Sequence, residues 1–150
     1  MKITIKKVDK TNFPSFIALV KELAKYEKLA PPDNAAVKRL KKDSISSRPK
    51  IESYLAYVNE KPIGYMILLM TYSSFLAKST LYIEDIFILK EYRQKGIGQE
   101  MFDFIKKVAK QRKCGRIEWT VLKWNKPAIK FYNKNKAELM KEWLFYRLTL

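Results

Sequence analysis

The chain contains no histidine, one cysteine and four glycines among its 150 residues. The missing imidazoles exclude histidine-based acid–base catalysis and histidine metal ligation. A lone cysteine, Cys114, excludes an internal disulfide framework and a cysteine-rich zinc site, so no metal is expected. No apolar run approaches the ~20 residues that span a bilayer. The longest, residues 66–70, is strand-sized. Residues 1–7 lack the apolar core of a secretory signal, which points to a cytoplasmic protein without a membrane partner. Acids are scarce as well, with 15 Asp and Glu against 31 Lys and Arg, for a net charge of +16.

What is present is a packable chain. Hydrophobic residues make up 47% and aromatics 13%, enough for one sizeable core and, at this length, one domain over residues 1–150. Alternation at Met1, Ile3 and Ile5 predicts a first strand over residues 1–8. Thr11-Asn12 signals the cap of a helix whose apolar stripe is Phe13, Phe16, Ile17, Val20, Leu23 and Ala24. Asp33 caps a second, basic helix to about residue 42. Strands are expected at 51–58, 62–72 and 80–89, the first two joined by a turn at 59–61. The third is apolar on both faces around Glu84-Asp85, which marks a central strand carrying an expensive charged pair. A helix follows with a stripe at Ile97, Met101, Ile105 and Val108. A strand at 117–122, a short helix opening at Asn125 and a last strand at 143–150 complete a mixed α/β (α+β) order.

The sharpest local signal is Arg93-Gln94-Lys95-Gly96-Ile97-Gly98, between a strand and a helix. Glycines let backbone amides approach an anion, and the helix amino terminus adds N–H groups and a positive dipole end. Such a turn suits a pyrophosphate; the same spacing also serves as a plain tight turn. It is neither a Walker loop nor the full dinucleotide fingerprint.

That turn, the run Lys21-Glu22-Leu23-Ala24-Lys25-Tyr26-Glu27, the strand Leu81-Tyr82-Ile83-Glu84-Asp85, and Trp124-Asn125-Lys126-Pro127 through Phe131-Tyr132 resemble the GCN5-related N-acetyltransferase superfamily. Within it they resemble the diamine (spermidine/spermine) and thialysine branch. The resemblance implies a single mostly antiparallel sheet splayed around acetyl-CoA, and direct acetyl transfer to a primary amine of a small molecule. It implies Glu84 as the base that deprotonates the amine, directly or through water, and Tyr132 as the acid for the departing thiolate. Ile86, Phe87 and Ile88 would pair with the pantetheine arm, Arg93 and Gln94 through Gln99 (Lys95, Gly96, Ile97 and Gly98 between them) would hold the pyrophosphate, and Asn125 the arm near the thiol. Tyr26, Glu27, Glu84 and Asp85 would bind the amine, and a homodimer through the last strands is expected. The chain departs from the branch at Ser73-Ser74-Phe75, where polyamine-acting relatives carry an acid and a Trp, and at Lys136, where the family has glycine.

Two alternatives stand beside this reading. One is a protein or peptide acetyltransferase, which ranks below small amines because this basic surface would repel basic protein targets. The other is a basic nucleic-acid- or ribosome-associated module on the same scaffold, motivated by Lys106, Lys107, Lys110, Arg112, Lys113 and Arg116. A cationic amine meeting a +16 protein needs local acids, and Glu27, Glu84 and Asp85 are the candidates.

Overall fold

A computed structural model describes residues 2–150; Met1, expected in the first strand, lies outside the described residues. Strand β1 is Thr4–Lys7, followed by helices α1 (Phe13–Tyr26) and α2 (Asn34–Ile45). Strands β2 (Glu52–Val58), β3 (Lys61–Ser73) and β4 (Lys78–Ile88) come next, then a single 3-10 turn at Lys90–Tyr92 and helix α3 (Ile97–Gln111). Strand β5 (Arg116–Trp119) and helix α4 (Lys126–Lys134) close the order. The chain divides into two units, one ending at Trp119 and one spanning Thr120–Leu150.

The first unit is an open five-stranded sheet in sequence order, antiparallel from β1 to β4 and parallel between β4 and β5. Asn59 and Glu60 both take positive φ, the backbone twist a tight β2–β3 hairpin requires. Phe13, Phe16, Ile17 and Leu19 of α1 pack on Leu55, Tyr65, Ile67 and Phe87 of one sheet face. Leu19 is the one stripe residue the helical spacing missed. Tyr54, which points to the opposite face from Leu55, meets Phe104 of α3 at 5.0 Å, so α3 covers that face. The expected α3 stripe is buried throughout: Ile97, Met101, Phe102, Ile105, Val108 and Ala109.

Asn12 stands at the start of α1 but caps it indirectly. Its Oδ1 accepts from the Asp9 N–H, while Asp9 Oδ1 accepts from the Thr11 and Asn12 N–H groups. Asp33 caps α2 directly, accepting from the Ala36 N–H at 2.7 Å. In the second unit, residues 143–150 form no strand, against expectation. The composition favours extended chain, but a strand exists only through a ladder partner, and none of the described residues pairs with this segment. β5 stops at Trp119 rather than at 122, for the same reason. No helix among the described residues is long and apolar enough to cross a membrane.

Candidate active site

Strand β4 departs from regular pairing where its two acids lie. Register with β3 runs Leu68↔Ile83 and then Ile67↔Asp85, so Glu84 is an extra residue opposite no partner, a β-bulge. In an unbroken strand Asp85 would share the face of Ile83. The bulge turns it instead to the α1 face, where it sits beside Ile67 and accepts a hydrogen bond from the Tyr65 hydroxyl at 3.0 Å. Glu84 is left exposed. Of the charged pair expected on this strand, burial falls on Asp85 and not on Glu84, the expected base.

The helix end completes an acidic cluster. Tyr26 is the last residue of α1 and Glu27 its C-cap, and the Tyr26 ring lies 6.4 Å from that of Phe87. Burial pushes the Asp85 carboxyl up to about 6; the Tyr65 hydrogen bond opposes this, and the charges of Glu84 and Glu27 add to it. Burial also raises the Glu27 carboxyl above its ordinary value. Tyr65 is itself fully buried, and desolvation followed by the Asp85 charge holds its phenol well above the usual range. Tyr26, Glu27, Glu84 and Asp85 are thus brought together at the end of α1 and the bulge of β4. Tyr65 was missed, although a tyrosine inside an otherwise apolar strand signals a buried hydroxyl that needs a partner.

The outer edge of β4 is open past Ile83, because pairing with β5 ends at Ile83↔Trp119. The Leu89 N–H donates to the Ile63 carbonyl at 2.9 Å, and antiparallel alternation then directs Phe87 toward Tyr65 and turns the N–H and C=O of Ile86 and Ile88 outward. Of the three residues expected to offer backbone groups, Phe87 is spent on β3. Gly64 faces Ile88 across the pair; a Cβ there would stand 2.5 Å from the Phe87 carbonyl oxygen.

Beyond the 3-10 turn, Gln94 takes φ 60° and Gly96 φ 82°, which bends the backbone into the amino end of α3. The first N–H groups of a helix have no intrahelical partner and form an anion site with the dipole. Nothing lies within 4 Å of a Cβ built on Gly96, so the space beside it is open. The Lys95 ammonium lies over the Tyr92 ring at 5.6 Å. Arg93, expected to present its charge to a pyrophosphate, is docked inward: its Nε donates to the Ile88 carbonyl at 2.8 Å and its guanidinium lies 4.4 Å from the Tyr26 ring centroid. An open strand edge leading into an anion-binding turn fits an extended chain of amide groups ending in a pyrophosphate, which is the shape of CoA.

The remaining two residues belong to the second unit. Asn125 is the N-cap of α4, its Oδ1 accepting from the Ala128 N–H at 3.4 Å. Tyr132 lies on α4 with its ring 5.6 Å from Phe131, and burial pushes its phenol up to about 12. No cluster of three or more His, Cys, Asp or Glu suited to a metal occurs among the described residues.

The Acetyltransferase (GNAT) family model matches residues 17–136. An L-ornithine N5-acetyltransferase of Arabidopsis thaliana is 44% identical over 86 residues, covering 57% of this chain but only 38% of that relative. A thialysine N-epsilon-acetyltransferase of Bos taurus is 27% identical over 148 residues, covering 93% of this chain and 86% of the relative. Among solved structures, an integron cassette protein of V. cholerae superposes with TM-score 0.83 at 26% identity, over 99% of this chain and 93% of that one. From the bulged strand, the open edge, the glycine turn and this match over most of its length, the chain belongs to the acetyltransferase (GNAT) family, the N-acetyltransferases that draw their acetyl group from acetyl-CoA.

Proposed function

We propose that residues 1–150 act as one N-acetyltransferase domain that acetylates a primary amine of a small molecule, a diamine, polyamine or thialysine-like amine. One observation carries it: the free outer edge of β4 runs into the glycine turn, with Glu84 and Asp85 on the same strand. The named relatives, an ornithine and a thialysine acetyltransferase, support the choice of a small amine.

Acetyl-CoA supplies an activated thioester. The turn from Gln94 to Gln99 suits its pyrophosphate through the backbone N–H groups that precede Gln99, whose own N–H donates to the Gly96 carbonyl, with Lys95 adding charge. Ile86 and Ile88 offer outward backbone groups to its amide arm, as to an added strand. Asn125 steadies the arm, on the family pattern. Glu27 and Asp85 attract the ammonium, and Tyr26 walls it. Glu84, exposed on the bulge, takes the proton that the amine must lose before it can attack, directly or through water. Tyr132 returns a proton to the leaving thiolate; with its pKa near 12 the phenol keeps that proton at neutral pH. We further read the protein as a homodimer, supported by the exposed Trp143, Leu144, Phe145, Tyr146 and Leu148, and as cytoplasmic, supported by its free thiol at Cys114.

The test is release of free CoA from acetyl-CoA with putrescine, spermidine, ornithine and thialysine. At least one should be turned over. Tyr132→Phe should lower kcat by about a hundredfold with acetyl-CoA affinity retained, and Glu84→Gln should displace the pH profile. A wild-type protein inert toward all four amines, or a fully active Tyr132→Phe, sinks the assignment.

A further inference from the structure

We propose that Arg93 is a positioning residue that ties the cofactor turn to the wall of the amine pocket, rather than a ligand of the pyrophosphate. The inference rests on the acetyl-CoA and amine sites proposed above. It comes from three contacts that converge on one guanidinium and from the ring contacts that lead away from it. The Arg93 Nε donates to the Ile88 carbonyl at 2.8 Å. The guanidinium carbon lies 4.4 Å from the centroid of Tyr26 and 5.5 Å from that of Phe87. Those two rings lie 6.4 Å apart. Phe87 in turn meets Tyr65 at 6.1 Å, and the Tyr65 hydroxyl donates to Asp85 at 3.0 Å.

Two consequences follow from this placement. Ile88 faces outward on the open edge of β4, so its carbonyl would be a bare acceptor there. Arg93 occupies it and leaves Ile86 N–H, Ile86 C=O and the Ile88 N–H as the groups an added chain can meet, which fixes where that chain begins to pair. Meanwhile the flat face of the same guanidinium holds Tyr26, and Glu27 is the next residue along the chain. A shift of the turn that holds the cofactor is therefore passed to Tyr26 and Glu27 on one side and to Phe87, Tyr65 and Asp85 on the other. Only a planar guanidinium can donate in its plane to a carbonyl while stacking on a ring; a lysine ammonium keeps the charge and loses that geometry.

Arg93→Lys, Tyr26→Leu and the double variant separate the possibilities, each read for stability to urea, acetyl-CoA KM and amine KM. The amine KM of Arg93→Lys should rise about tenfold while acetyl-CoA KM stays within about twofold. Tyr26→Leu should raise amine KM similarly, and the double variant should be no worse than the poorer single one, because the two side chains act through one contact. An acetyl-CoA KM that rises while amine KM holds would make Arg93 a phosphate ligand and overturn the proposal, as would two unchanged constants or additive effects. Should Arg93→Lys fold poorly, Arg93→Gln, which keeps a planar donor and drops the charge, is read by the same split between the two KM values. A wild-type protein that turns over no amine would instead fail the functional reading beneath it; the urea midpoints of the three variants then decide, with non-additive losses supporting the Arg93–Tyr26 contact and additive losses overturning it.

Discussion

Asp85 shows how one buried carboxylate links stability to pH. Its ordinary value is near 3.8, and in the folded protein it stands at about 6. Between those values the folded state binds more protons than the unfolded one, so stability falls as pH rises from about 4 to about 6 and stays lower above. The shift corresponds to about 3 kcal/mol. Asp85→Asn keeps a partner for the Tyr65 hydroxyl and removes the charge. It should raise the melting temperature at pH 8 and leave it nearly unchanged at pH 4, while raising amine KM at pH 8. In the wild type, amine KM should climb as pH drops through about 6, where Asp85 gains its proton, and this climb should flatten in the variant. Equal melting shifts at both pH values would show that the carboxylate is not buried as described. At this scale the sequence disclosed the residue types and their company, Glu84 beside Asp85 and Tyr26 beside Glu27. It did not disclose which of the two strand acids is buried, because that depends on a bulge that no local propensity signals.

The helices were legible because their signals are local. The α3 stripe repeats every three to four residues, and Asp33 caps within its own turn. Register was not, since pairing joins residues far apart in the chain. Two glycines illustrate the difference. Gly96 is demanded by a positive φ with open space around it, so Gly96→Ala should cost only backbone strain, about 1–2 kcal/mol, and weaken acetyl-CoA binding. Gly64 has no such φ, but a Cβ would collide with the Phe87 carbonyl. Gly64→Ala should therefore cost more than Gly96→Ala in urea titrations, in the range of overpacked sites at about 1–3 kcal/mol, and should lower activity by displacing the open edge. A milder effect at Gly64 than at Gly96 would contradict the β3–β4 register. The Gly96 turn was visible as a motif; the Gly64 contact arises only once β4 lies against β3.

Across the whole molecule, the 31 basic residues behind the net charge of +16 are not all without acidic neighbours. Three of the six basic residues that suggested nucleic-acid binding are engaged with acids: Lys106 with Asp103, Arg112 bidentately with Glu52 and Arg116 with Glu118. The carboxyl segment adds a different surface, with Trp143 at 73% exposure and Tyr146 at 84%. A stable interface takes about 800 Å² from each partner, and buried aromatics supply about 150–250 Å² each. Light scattering should give twice the chain mass, and Phe145→Glu with Leu148→Glu should halve it without unfolding the sheet. A wild-type monomer at tens of micromolar would remove the dimer.

Taken alone, the sequence determined what depends on composition and short spacing: a chain without histidine or an internal disulfide, its helices, the glycine turn and the residues that resemble an amine acetyltransferase. Tertiary structure decided the rest. It turned Asp85 toward Tyr65, exposed Glu84, opened the edge of β4 at Ile83 and drew Arg93 away from the turn onto Tyr26. The physical reason is the same in each case. A strand's faces, its free backbone groups and the partner of a long cationic side chain are set by neighbours that only folding brings into contact.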